Sequence, residues 1–411
     1  MPAGELLLKN SMSLTLLLDL DDTLLNTNLP AFMPAYFQAL ADHVCGHVPS
    51  EKFLRALIGG VNRMNENEDP RLTLREVFES YFHPALDIPS NELQDVLEGF
   101  YDRVFPSLHS HTSPIPGASD FVDWAVTAGM RIAIATDPLF PIKATHHRLR
   151  WAGFEPERFQ LVSAFEDFHF AKSHPAYYAE VLGRMGWQDG PALMVGNDPT
   201  RDILSAQRLG LKTFFIEGEA TSSPGVEAGR GQLSDARRWL ESVGQAALEP
   251  SFKSRDGVLG ILESTPAVLN HFLGLLNERD LQREQTRGDW AMNEIACHLR
   301  DTEREVHALQ LDLMLEKNDA FIPRPETSVW ASERDYLLED ARAAGADFAD
   351  ARVELLARIK SLPEEVWSRP ARHAIFGPTN FCEVLGFMAD HDRLHLQQAW
   401  SALQTLLGER V

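Results

Sequence analysis

A chain of 411 residues exceeds what one ordinary hydrophobic core holds, and its 44% hydrophobic and 24% charged residues exclude a disordered or fibrous protein. A formal net charge of -22 without a dominant Lys/Arg run excludes a nucleic-acid partner, because phosphate backbones are gripped by clustered basic side chains. Three distant cysteines, Cys45, Cys297 and Cys382, exclude a disulfide framework or zinc ribbon and fit a reducing cytoplasm.

The first apolar run, Leu14 to Leu20, is too short to span a bilayer and is interrupted by Asp19, so no membrane or export segment is expected. Leu14 to Leu18, Arg131 to Ala135, Leu161 to Ala164, Ala192 to Val195 and Lys212 to Ile216 predict parallel strands. Helical patterns lie between them at Ala118 to Thr127, Pro175 to Met185, Thr200 to Leu209 and Ser234 to Ser242. The alternation implies an α/β doubly wound, Rossmann-like sheet. Far more chain separates the first two strands than a crossover needs. Apolar residues at helical spacing in Ala31 to Val44, Glu51 to Met64, Thr73 to Phe82 and Asn91 to Arg103 make that insertion a helical cap.

Gly218 to Gly231 has the composition of a surface loop. After Pro250 the strand signal stops. Amphipathic stretches near Pro266 to Leu276, Met292 to Lys317, Ser332 to Leu362 and Asn380 to Leu407 predict an all-α four-helix bundle. The expected division is a first domain at 12–245, with its core at 12–26 and 114–245 and its cap at 27–113, then a linker at 246–254 and the bundle at 255–411.

The run DLDDTL places Asp19, Asp21 and Thr23 at the carboxyl end of a buried strand, where open sheets bind ligands. Carboxylates packed so closely call for a cation nearby. Thr136 ends the strand RIAIA, Lys172 stands between strand and helix in FHFAKSHP, and GNDPTRD delivers Asp198 and Asp202 at a further strand end. A hydroxyl and a point positive charge suit a phosphoryl group held at that edge.

This ordered quartet resembles the haloacid dehalogenase superfamily, over residues 14 to about 245, and the insertion resembles the helical cap of its first cap class. The resemblance implies an aspartyl-phosphate on Asp19, acid-base help from Asp21, and substrate binding by Thr136, Asp137 and Lys172. It implies Mg²⁺ on Asp19, Asp21 through its backbone carbonyl, and Asp198. Because dehalogenases of the superfamily lack the second Asp, a phosphatase acting on a small phosphorylated metabolite is favoured, with a phosphomutase also open. Asn197 stands where many relatives have Asp, which leaves the ligand open between Asn197 and Asp198. Asp202 is either a ligand or an ion-pair partner of Lys172, and the second is preferred.

In the bundle region, GDWAMNEIACHLRDTE carries His298 on one helix, and ADHDRLHLQQAW places His391 and His395 four apart on another. Three imidazoles from two helices leave open positions for water or substrate. His271 and His307 have no such partners and are expected to be ordinary helix histidines. W-x-x-x-E-x-x-x-H-L with a distant H-x-x-x-H resembles the DinB/YfiT-like metalloproteins over about 255 to 407. That resemblance implies a three-histidine site for Zn²⁺ or Ni²⁺. Two further readings follow: the bundle is a thiol-dependent transferase with the first domain as an accessory module, or it dimerises the phosphatase.

Overall fold

The computed structural model describes residues 13–218, 222–284 and 289–408. The expected start at residue 12, residues 219–221 of the expected loop and residues 409–411 of the bundle lie outside the described residues.

The chain enters through β1 (Thr15–Leu18), then a two-stranded stem of β2 (Leu25–Asn26) and β3 (Ser113–Pro114). Between the stem strands come α1 (Leu29–Val44), α2 (Ser50–Asn65), α3 (Leu74–Leu86) and α4 (Ser90–Arg103). Their inner faces meet in an aromatic core that includes Phe32, Tyr36, Phe53, Phe82, Phe100 and Phe105. The start of α3 is set locally: Thr73 accepts from the Glu76 amide while the Glu76 side chain accepts from the Thr73 amide, which satisfies two donors the first turn leaves open.

The chain then runs through α5 (Ala118–Thr127), β4 (Arg131–Ile134), α6 (Ile142–Trp151), β5 (Leu161–Val162), α7 (Pro175–Arg184) and β6 (Ala192–Gly196). A π-helical turn at Pro199–Leu204 leads into α8 (Ser205–Leu209), followed by β7 (Lys212–Ile216), β8 (Gly229–Gly231) and α9 (Leu233–Ser242). All six strands are parallel, in the order β5-β4-β1-β6-β7-β8. Helices cover both faces, so every residue of β1 is buried. The order reverses at β1, and the crevice at its carboxyl end is where such sheets take ligands. Two expectations change here. The segment expected as loop up to Gly231 ends in the edge strand β8, and the helix expected from Thr200 to Leu209 opens with a π-helical turn.

The remainder comprises α10 (Arg255–Gly274), a short α11 (Glu278–Leu281), α12 (Met292–Thr302), a π-helical turn at Glu303–His307, α13 (Ala308–Glu316), β9 (Ala320–Ile322), α14 (Trp330–Glu333), α15 (Ala341–Lys360), β10 (Pro370–His373), β11 (Gly377–Asn380) and α16 (Phe381–Leu407). The expectation that strands cease after Pro250 is overturned by the sheet β11-β10-β9. The helix expected from Ser332 is broken before α15, which starts where Asp340 caps the Arg342 and Ala343 amides. The helix expected near Pro266 begins instead at Arg255, with Pro266 inside it. Proline has no N–H for the carbonyl four residues earlier. That carbonyl, of Leu262, accepts from buried Arg352 Nη1 at 2.8 Å, so the lost helical bond is replaced by a side chain.

The two parts share one core. Helix α10 lies on α7, and buried residues run continuously from Ala133, Tyr177 and Met194 to Val268, Phe348 and Leu396. The fit is close: a Cβ on Gly183 would stand 2.7 Å from Val268. The cap also meets the bundle, through Arg71 with Asp350 at 2.9 Å and Lys360 with Glu68 at 2.6 Å. No helix among the described residues is long and apolar enough to cross a membrane.

Candidate active site and candidate metal centre

At the end of β1 the chain makes a tight loop in which the Leu20 carbonyl accepts from the amides of Thr23, Leu24 and Leu25, and Asp22 takes a φ of 58°. The loop separates the two carboxylates. Asp19 faces the sheet edge, where Oδ1 accepts from Lys172 Nζ at 2.5 Å. Asp21 turns to a different pair of partners, accepting from Thr27 Oγ1 at 2.6 Å and Arg148 Nη1 at 2.5 Å.

Lys172 is buried between Asp19 and Asp202, whose Oδ1 lies 2.6 Å from Nζ. Burial alone would lower the ammonium, but these carboxylates hold it well above the usual lysine range. Burial pushes the Asp19 carboxyl up, against the pull of Lys172 and with Asp202 and Asp21 adding to the rise. Two carboxylates on one ammonium leave surplus negative charge in a buried place, which a cation would relieve.

Asp202 is seated by the π-helical turn, its Oδ2 accepting from the Asp198 amide at 2.9 Å. Gly196 is required opposite it, since a Cβ there would stand 2.1 Å from Asp202 Oδ2. Asp198 is the cap of that turn: Oδ1 accepts from the Thr200 and Arg201 amides at 2.8 Å each. The amide end of Asn197, by contrast, stands 3.3 Å from Asp19 Oδ2 and 3.0 Å from the Asp21 carbonyl oxygen. With its nitrogen inward Asn197 donates to both. With its oxygen inward it completes three converging oxygens, the donor type a hard dication takes.

Thr136 is buried beside β1, its carbonyl fixed by Ser163 Oγ at 2.6 Å and Tyr177 OH at 2.8 Å. Asp137, expected to bind substrate, has both oxygens engaged within the protein, by the Lys172 amide at 3.1 Å and by Arg201 Nη1.

In the bundle, α12 and α16 bring His298, His391 and His395 together. The three Nε2 atoms converge, with His298 to His391 at 3.2 Å and His395 to His391 at 3.1 Å. A tetrahedral ion bound at ~2.0–2.1 Å to each nitrogen would space them roughly 3.3 Å apart. Burial pushes His298 down to about 3, and burial likewise holds His391 below and His395 well below the ordinary imidazole range. The rings are therefore neutral at neutral pH, with lone pairs to give. Gln398 Oε1 accepts from His395 Nδ1 at 2.8 Å, which turns the free lone pair of Nε2 inward. Trp290 stacks flat on His395, 5.6 Å between centroids.

The Haloacid dehalogenase-like hydrolase model matches residues 16–216. Over 217 residues the chain is 30% identical to Pyrophosphatase PpaX of Bacillus pumilus (strain SAFR-032), covering 52% of this chain and 86% of that protein. The chain belongs to the haloacid dehalogenase-like hydrolases. Residues 261–399 match the DinB superfamily model. Among solved structures, a HAD phosphatase from Thermococcus onnurineus aligns at 16% identity and a TM-score of 0.39, covering 56% of this chain and 98% of that one. YfiT from Bacillus subtilis, described as a probable metal-dependent hydrolase with an unusual four-helix bundle topology, aligns at 20% identity and a TM-score of 0.34, covering 38% and 90%.

Within this hydrolase the structure brings Asp19, Lys172 and Asp202 into direct contact, with Asn197 beside them, and turns Asp198 to the helix cap. Arg148 and Thr27 escaped the sequence reading. Arg148 lies in HHRLRW, which has the look of a basic surface helix, yet it is buried. His307 corrects an expectation: its Nδ1 pairs with Glu303 Oε2 at 2.9 Å, and its ring lies edge-on to His391, 5.6 Å between centroids. The spacing Glu303 to His307 on one helix was the available signal.

Proposed function

We propose that this hydrolase is an Mg²⁺-dependent phosphoric monoester hydrolase acting on a small phosphorylated metabolite through an aspartyl-phosphate on Asp19. The observation that carries the reading is the buried Asp19–Lys172–Asp202 array with the Asn197 amide within 3.3 Å of both Asp19 Oδ2 and the Asp21 carbonyl. The donor set fits Mg²⁺, which Asp19, the Asp21 carbonyl and Asn197 would hold. Asn197 replaces Asp198 in our assignment, because the Asp198 carboxylate caps a helix. When bound, the ion offsets charge on the phosphoryl oxygens.

Asp19 attacks phosphorus as the bond to the leaving oxygen breaks, and Asp21 protonates that oxygen. Asp21 then takes a proton from the water that cleaves the aspartyl-phosphate. Thr136 and Lys172 orient the phosphoryl group, and Asp202 keeps Lys172 in place. Arg148 and Thr27 hold Asp21 between these steps. A cavity of about 310 Å³ lies between the cap helices and the loops carrying Leu139 and Phe165, lined by Phe53, Phe78 and Phe82 together with Glu98 and Lys143, and none of Asp19, Asp21, Thr136 or Lys172 lines it. The name of the relative favours pyrophosphate as a second reading. Phosphate release with Mg²⁺ or with a chelator, from sugar phosphates, nucleotides, phosphoglycolate and pyrophosphate, tests both; release unaffected by chelation overturns the metal assignment.

For residues 255–411 our reading is a separate site in which His298, His391 and His395 hold one Zn²⁺ or Ni²⁺, since imidazole suits these ions better than Mg²⁺. Three free cysteines accord with a cytoplasmic protein. Protein purified without a histidine tag is expected to carry about one transition-metal ion per chain, falling to background in the His391→Ala, His395→Ala double variant. Equal content in the two would leave the histidines with a structural role.

A further inference from the structure

Beside His391 a groove of about 420 Å³ opens between α16, the π-helical turn, the β10–β11 hairpin and the segment after β9. That volume is in the range of ~300–1,000 Å³ common for small-molecule sites. Its walls are apolar and aromatic. The Phe376 and Phe387 rings lie 4.3 Å apart, and His373 stacks on Phe376 at 4.9 Å. Phe376 is 60% exposed and Leu394 52%, so a flat apolar body entering here would cover surface now in water.

At the rim stands Arg324, and no carboxylate among the described residues lies within ion-pair distance of it. The acidic residue in the groove lining, Asp390, already meets Arg393 at 3.2 Å. The charge of Arg324 reaches the exposed Glu326 carboxyl only as a lesser influence behind that group's bonds to Ser328, which leaves the guanidinium fork as a bidentate seat for a carboxylate, sulfonate or phosphate. His391 is also the most open of the three histidines: its side chain is 26% exposed, while His298 and His395 are buried. The groove is thus the approach to that cluster. A π-helical turn, a feature frequent at functional sites, places Glu303 and His307 in or behind its wall.

We propose that this groove binds a small organic oxyanion with a flat apolar body, its anionic group on Arg324 and its body against Phe376, Phe387 and Leu394, next to His391. The proposal rests on the bundle metal reading only for what lies at the groove's inner end. The probes are 2-naphthoate and the uncharged 2-naphthalenemethanol, titrated calorimetrically into the full chain, metal-replete and chelated. Naphthoate is expected to bind at one site, about tenfold weaker in Arg324→Gln, with the alcohol unchanged by that substitution. Phe376→Ala is expected to weaken both probes. Unaltered thermal melting of the variants shows that they fold. Equal naphthoate affinity in wild type and Arg324→Gln, or no binding at all, overturns the proposal. So does sedimentation showing that Leu394→Glu converts a dimer to a monomer, which would make this face a contact between two copies. Binding that survives chelation leaves the groove standing even if the histidines hold no metal.

Discussion

Asp19→Asn is expected to lower metal-dependent phosphate release by at least about 10⁴-fold, because an amide cannot attack phosphorus and removes an anionic oxygen from the cation seat. The substitution keeps the shape of the side chain, and Lys172 retains Asp202 at 2.6 Å, so the fold should survive. The decisive measurement is single-turnover release from the best substrate of the panel, with acid-quenched protein assayed for covalently held phosphate. Wild type should show the covalent species and the variant none. Undiminished turnover in the variant would move the nucleophile away from Asp19 and sink the phosphatase reading.

Arg352→Met is expected to destabilise the chain by about 3–5 kcal/mol, the usual cost of leaving a buried ion pair with one partner missing. Arg352 has no exposed surface, and it reaches Glu303 at 2.6 and 2.9 Å and Asp392 at 2.6 and 3.3 Å. Its loss strands both carboxylates and also the Leu262 carbonyl that Pro266 leaves open. Urea unfolding of the chelated protein measures the effect. Adding Glu303→Gln and Asp392→Asn should recover much of it, since the cost is uncompensated charge. If the triple variant is as unstable as the single one, the loss is one of packing. Metal content should fall with Arg352→Met as well, because Asp392 adjoins His391 and Glu303 holds His307.

The residues of the proposed catalytic array were legible where apolar runs end. Asp19, Thr136 and Lys172 follow apolar runs that declare themselves buried, and a polar group there has few structural reasons to exist. Asp202 could be assigned to Lys172 by charge alone. The choice between Asn197 and Asp198 could not, because adjacent residues leave a strand in different directions and only the turn decides which points inward. Edge strand β8, Gly-Arg-Gly, has too little side chain to show a strand pattern, and β10 and β11 contain Pro370 and Pro378, which argue locally against strands. Pro266 suggested a helix start by a sound rule, and a buried arginine from another helix overrode it. Arg148 and Arg352 were hidden for one reason: a cation that pairs with distant carboxylates leaves no trace in its neighbours.

The core that runs from the sheet through α7 into α10 is shared by the two halves, and they are expected to unfold as one unit. Any ion held by the histidine cluster therefore adds its binding free energy to the hydrolase as well, about 4 kcal/mol when it is present at a thousand times its dissociation constant. Transition-metal supply would then set how long the hydrolase lasts against proteases, although that metal takes no part in its chemistry. The bundle becomes a gauge whose reading is the amount of enzyme rather than its rate.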